Sequence, residues 1–127
     1  MEGGRWKMEY KKFEEAEVWQ LSKKLAIKIY KITGKLYRKN YALIDQMQRS
    51  ALSISSNIAE GFDRNSKKAL GHFLNISKGS AGELRSQITI AYELQLIDKI
   101  DFEQLISECE IISKQLKGFM RFLAKTL

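Results

Sequence analysis

The chain of 127 residues contains no proline, one cysteine and one histidine. Without proline nothing removes a backbone donor, so long uninterrupted helices are open to it. Cys109 has no partner for an intramolecular disulfide and no histidine near it in sequence. It reads as a small buried hydrophobe in a reducing compartment. His72, inside a helical segment beside Phe73, cannot by itself make a metal site, which wants several ligands at set spacings. No apolar run approaches the ~20 residues of a membrane span, and the opening MEGGRWKMEYKK has charges but no apolar signal-peptide core. These absences predict a soluble, cytoplasmic protein with no membrane partner, no metal and no cofactor.

What remains is 44% hydrophobic and 29% charged, a globular balance sufficient for one domain with a real core. A flexible basic segment is expected over 1–12 and the folded domain over 13–127. Apolar residues recur at helical steps in four stretches. In the first, about 14–37, Val18, Leu21, Leu25, Ile29, Ile32 and Leu36 form one seam. Trp19, Ala26, Tyr30 and Tyr37 form a second beside it. Together they cover about half the circumference, wider than a surface helix needs, so the second seam is predicted to meet another subunit.

The second stretch, about 41–62, repeats through Ile44, Met47, Ala51, Ile54, Ile58 and Phe62. Gly61 is expected to supply a left-handed C-terminal cap, and Ser66 the N-cap of the next helix. The third, about 67–94, runs Leu70, Leu74, Ser77, Ala81, Leu84, Ile88, Ala91. The fourth runs from Phe102 to Leu123, with Asp101 and Gln104 as an expected capping box. Short connections make consecutive helices antiparallel, so the predicted fold is all-α, an up-down-up-down four-helix bundle.

Two features stand out against this frame. RSALSISSNIAEGF places four serines and an asparagine in the second helix, and SKGSAG places small residues in the third. Small facing residues allow close helix approach, and serine hydroxyls can bond carbonyls one turn back. A packing seam therefore accounts for these serines and for the glycines Gly71, Gly79 and Gly82, with a polar ligand pocket as the competing reading.

The second feature is charge. The formal net charge is +7, and the first 40 residues hold 11 Lys/Arg against 5 Asp/Glu. Lys24, Lys28, Lys31, Lys35 and Arg38 fall within an arc of about 80° on a helical wheel, and no acidic residue from 18 to 44 offsets them. Such a row suits a solvated face or a polyanion, whose bound counterions it would release. With Lys39, and with Arg64, Lys67 and Lys68 at the second turn, it makes the candidate nucleic-acid interface. Backbone contacts by Lys carry little sequence information. Tyr37 and Tyr41 flank Arg38 and Lys39, where they can stack on unpaired bases, with simple packing at a helix end as the competing reading.

Catalytic motifs are not legible. GSAG has the form of a GXXG loop but falls mid-helix, and GKLYRK lacks the upstream glycine and following Ser/Thr of a phosphate-binding loop. The expectation is a protein that is not an enzyme.

QMQRSALSISSNIAEGFDRNSKKALGHFLNISKGSAGELRSQ (46–87), with FEEAEVWQ (13–20) before it and ISECEIISKQLKGFMRFL after it, resembles the signature of the 23S rRNA intervening-sequence protein family. Ala69 stands where the family has Glu, which removes a capping box with Ser66. The resemblance implies a four-helix bundle assembled as a homopentamer. It also implies kinship with the accessory variability determinant proteins of diversity-generating retroelements, which bind nucleic acid and a reverse transcriptase. The sequence-level expectation is thus a homo-oligomeric, non-enzymatic nucleic-acid-binding protein with RNA favoured. The alternative is an accessory subunit to a retroelement reverse transcriptase and its RNA.

Overall fold

The computed structural model describes residues 12–126; all but Lys12 of the expected N-terminal segment lies outside them. A single 3-10 turn, Phe13–Glu15, leads into α1 (Glu17–Thr33). A second 3-10 turn, Gly34–Leu36, separates α1 from α2 (Tyr41–Asp63), followed by α3 (Lys67–Glu93) and α4 (Lys99–Thr126). Each helix packs on its neighbours in order and α4 returns to α1, which closes an antiparallel four-helix bundle. The α2–α3 and α3–α4 seams are extensive, and the α1–α4 seam is the thinnest.

The apolar repeats read from the sequence line the interior. Leu25 and Ile29 of α1, Ile44, Ile54 and Ile58 of α2, Leu74, Leu84 and Ile88 of α3, and Leu105, Leu116 and Phe119 of α4 are fully or almost fully buried. Each contributes about 1.5–3 kcal/mol from burial. Phe62 reaches the same core, its ring 6.2 Å from that of Phe119 and steeply inclined to it.

The serines are a packing device. Ser77 Oγ donates to the Ile54 carbonyl at 2.8 Å, and the Ser53 and Ser80 hydroxyls meet at 2.7 Å. Asn57 Nδ2 then donates to both the carbonyl and the hydroxyl of Ser53. The two serine bonds join α2 to α3, while the Asn57 bonds stay within α2 and hold Ser53 in place. Ser55 bonds only within its own helix, and Ser56 points to solvent.

The glycines correct the expectation. Gly61 is not a left-handed cap: it lies inside α2, buried, where an added Cβ would come within 3.0 Å of both Leu70 Cδ1 and Phe73 Cβ. It is the residue that lets α3 approach. By contrast, a Cβ on Gly71, Gly79 or Gly82 would meet nothing within 4 Å, so close approach within the bundle does not explain them.

Non-glycine residues make the left-handed turns instead. Asn65 has φ 60° after α2, as Asn tolerates. Gln95 has φ 63° after α3, where its N–H donates to Tyr92 O and the Leu96 N–H reaches Ala91 O, a Schellman closure. Ser66 caps α3 as predicted, its hydroxyl accepting from Ala69 N at 3.1 Å. The cap of α4 falls three residues earlier than expected: Asp98 Oδ1 accepts from the Asp101 N–H at 2.8 Å.

These contrasts predict opposite effects of one substitution. Gly61→Ala should destabilise the bundle by about 1–3 kcal/mol through overpacking. Gly79→Ala should stabilise it by about 0.5–1 kcal/mol through helix propensity. Urea midpoints of the two variants against the parent decide the matter; equal shifts would disprove the assignment of close approach to Gly61.

Candidate nucleic-acid interface

The five basic residues of the first helix do not form one unopposed row. The α-helix ends at Thr33, whose hydroxyl turns back to the Ile29 carbonyl, and Gly34 begins a tighter 3-10 turn. The 100° step therefore stops before Lys35 and Arg38. Within α1, the side opposite α2 faces α4, which the sequence of the first helix alone could not reveal. Lys28 Nζ binds Glu108 Oε2 at 2.5 Å and lies 3.5 Å from Gln104 Oε1.

Lys24 and Lys28 rim a groove of about 330 Å³ between α1 and α4, floored by Leu21, Ile111 and Ile112. Farther along the same seam, Lys31 and Lys35 share a cleft of about 340 Å³ with Asp98 and Asp101. The acidic N-terminal half of α4 thus stands across the groove from the basic side of α1. Glu108, Asp98 and Asp101 are the residues that a one-helix reading missed. Placing α1 beside α4, as the up-down topology requires, is the signal that finds them.

Lys24, Lys31, Lys35, Arg38 and Lys39 remain exposed and make no ion pair with a described residue. At the other turn the cluster is partly engaged. Arg64 pairs with Glu60 at 2.8 Å and lies 5.3 Å over the Phe73 ring. Lys67 donates to the Thr126 carbonyl at 3.0 Å, and Lys68 is exposed.

The second seam of the first helix is corrected as well. Ala26 is a buried core residue, not an interface residue. Trp19 is half-buried against Phe13, ring centroids 4.9 Å apart, with the Lys23 ammonium over its face. Tyr37 meets Tyr41 edge-on at 5.1 Å and directs its hydroxyl to Asp45 Oδ1 at 3.4 Å, and Tyr41 itself is exposed. Partial desolvation and the Asp45 charge raise the pKa of Tyr37, and Asp45 in turn holds Arg49 at 2.9 Å.

Tyr30 alone of the four is exposed, at 42%. The Gln48 amide donates to Thr33 Oγ1 and fixes the α1–α2 register. That register sets Tyr30 level with Leu52 of α2, which is 44% exposed, and Ile27 one turn away is 48% exposed. An apolar patch therefore does lie on the α1–α2 face, and it keeps Tyr30 of the four residues read from the sequence and adds Ile27 and Leu52.

Among the described residues no group of three His, Cys, Asp or Glu is placed to hold a metal ion, and no helix is long and apolar enough to cross a membrane.

The architecture defines an all-α four-helix bundle with a strongly basic balance. The chain belongs to the 23S rRNA-intervening sequence protein family, whose model matches residues 14–118. Among solved structures it is similar to a protein of unknown function from the S23 ribosomal protein family of Bacteroides thetaiotaomicron. The two share 23% identity and a TM-score of 0.76 over 82% of this chain and 95% of that one, a likeness that establishes the fold. No curated protein matches the chain significantly.

Beside Glu108, Cys109 is buried in the core, and burial, reinforced by the Glu108 charge and opposed by Arg85, pushes its thiol up to about 12. A thiol so shielded should resist iodoacetamide at pH 8 in the folded chain and react fully in denaturant. The folded chain holds this proton more tightly than the unfolded chain, where the thiol titrates near 9.0. The preference is intact below that pH and erodes stability as pH rises from 9.0 toward about 12. Cys109→Ala should accordingly flatten the alkaline fall of the urea midpoint over that window; rapid alkylation of the native protein would refute the buried placement.

Proposed function

We propose that this protein is a non-enzymatic, homo-oligomeric nucleic-acid-binding protein with RNA as the favoured ligand. The observation that carries the reading is a formal charge of +7 with Lys24, Lys31, Lys35, Arg38 and Lys39 exposed and without an ion-pair partner among the described residues. Lys28 is withdrawn from the set because Glu108 occupies it. Lys24 and Lys31 ride on α1 and the other three on the turn that follows it; such unpaired cations repel one another, and phosphates relieve that repulsion while releasing counterions. RNA is favoured by the setting that the family's description names, an intervening sequence of 23S rRNA. Binding through Lys is to the backbone, with weak preference among sequences.

The apolar patch of Ile27, Tyr30 and Leu52 supports self-association, since monomers seldom leave adjacent large apolar chains open. The resemblance implies five copies. A ring would repeat the exposed cations and multiply the field that a polyanion meets.

Binding of a fluorescent single-stranded RNA, measured across a salt series, tests the reading. The parent should lose affinity steeply with salt; no binding at low salt would refute the function. Light scattering should give a mass several times that of the 14.7 kDa chain, and Ile27→Glu with Leu52→Glu should lower it. A monomeric parent would remove the oligomer.

A further inference from the structure

Counting charge along the chain hides where it collects. Residues 41–127 carry almost no net charge, 11 basic against 10 acidic, yet the signs are segregated. Between Lys67 and Gly82 on α3 there are three lysines and no carboxylate, and from Ile111 to Thr126 on α4 there are Lys114, Lys117, Arg121 and Lys125 and again no carboxylate. The acidic residues of both helices lie from Glu83 onward and before Ile111.

The antiparallel packing brings the two acid-free halves together. Tyr92 stacks on Phe102 at 4.2 Å at one end, and Lys67 bonds Thr126 O at the other. In that register Lys78 stands beside the turn from Lys114 to Lys117, and Lys68 beside Lys125. The four α4 cations are all exposed, lie within an arc of about 80° and extend roughly 16 Å along the helix. None of them makes an ion pair with a described residue. Pocket geometry adds an independent observation: a depression of about 290 Å³ on α4 is lined by Gly118, Arg121, Phe122 and Lys125. Phe122, half-buried against the core, forms one wall of it beside Arg121 and Lys125.

We infer that the acid-free half of the α3–α4 face is a binding site for single-stranded nucleic acid, with Lys114, Lys117, Arg121 and Lys125 on the phosphates and the Phe122 pocket receiving a base. This rests on the nucleic-acid reading above and moves the main site from α1 to the opposite face of the bundle. A partly exposed ring beside two cations suits a base and its adjoining phosphates. A protein partner would want an apolar centre. The exposed large apolar residues of these segments, Ile76 and Ile111, sit on the flanks toward α2 and α1 instead. The face also lies opposite the Ile27–Tyr30–Leu52 patch, so association through that patch leaves it open.

The test compares two variants of the full chain with a fluorescent 20-nucleotide RNA, single-stranded and as a duplex, in a salt series. Replacing Lys114, Lys117, Arg121 and Lys125 by Gln should make the log–log salt dependence shallower by roughly 3 units, about 0.7–0.9 for each phosphate no longer neutralised. Arg in place of the three lysines should retain the parent slope. Phe122→Leu, which keeps an apolar side chain, should weaken single-strand binding about tenfold and leave duplex binding and both slopes unchanged. If Lys24→Gln with Lys31→Gln and Lys35→Gln flattens the slope while the α4 variant does not, this site is wrong and the nucleic-acid function stands. If the parent binds neither RNA, both are wrong. Competition by poly-glutamate as strong as by unlabelled RNA, charge for charge, assigns the face to an acidic protein and overturns the proposal.

Discussion

Helices α2 and α3 can lie as close as they do because Gly61 leaves room for Leu70 and Phe73, and because hydroxyls rather than branched chains meet at Ser53, Ser77 and Ser80. The rest of the architecture follows from that close pair. With α2 and α3 drawn together, their remaining apolar faces converge on Phe119 and Leu116 of α4, and α1 closes the fourth side most loosely. A thinly packed edge is where long side chains find space, and there Lys28 reaches Glu108 across the α1–α4 groove. A half-exposed pair of this kind contributes only about 0.2–1 kcal/mol. It orients the groove more than it holds the bundle.

Much of this was legible in the residues. The repeats through Leu25 and Ile29, or through Leu105, Cys109 and Leu116, named the core because burial at a helix face is a local property with a fixed period. Ser66 was legible as a cap for the same reason. Gly61 was not, because glycine serves equally at a left-handed turn or at a close helix approach, and only the partner helix decides which. Asn65 and Gln95 took the left-handed positions that a glycine would have filled more easily. Ala26 lay on the boundary between two seams, where a 100° step cannot tell a core residue from an interface residue.

The candidate site was less legible for a reason peculiar to antiparallel bundles. Charge windows along the chain add Glu103, Glu108 and Glu110 to Lys114, Lys117, Arg121 and Lys125 and find near balance. In space the acidic half of α4 lies against the basic edge of α1, and the basic half lies beside Lys67, Lys68 and Lys78. One helix thereby neutralises part of the first surface and creates the second. Its arrangement, acidic early and basic late, also agrees with the helix dipole at both ends.

The up-down order has a bearing on how the chain acquires its shape during synthesis. Every large seam joins helices that follow one another, so α1–α2 and then α2–α3 can dock as hairpins while the remainder is still being made, with little loop-closure entropy to overcome. The α1–α4 seam is the exception, since it unites the two termini of the domain. Its closure must wait for the last helix to leave the ribosome, so the thinnest seam of the bundle is also the last that the chain can make.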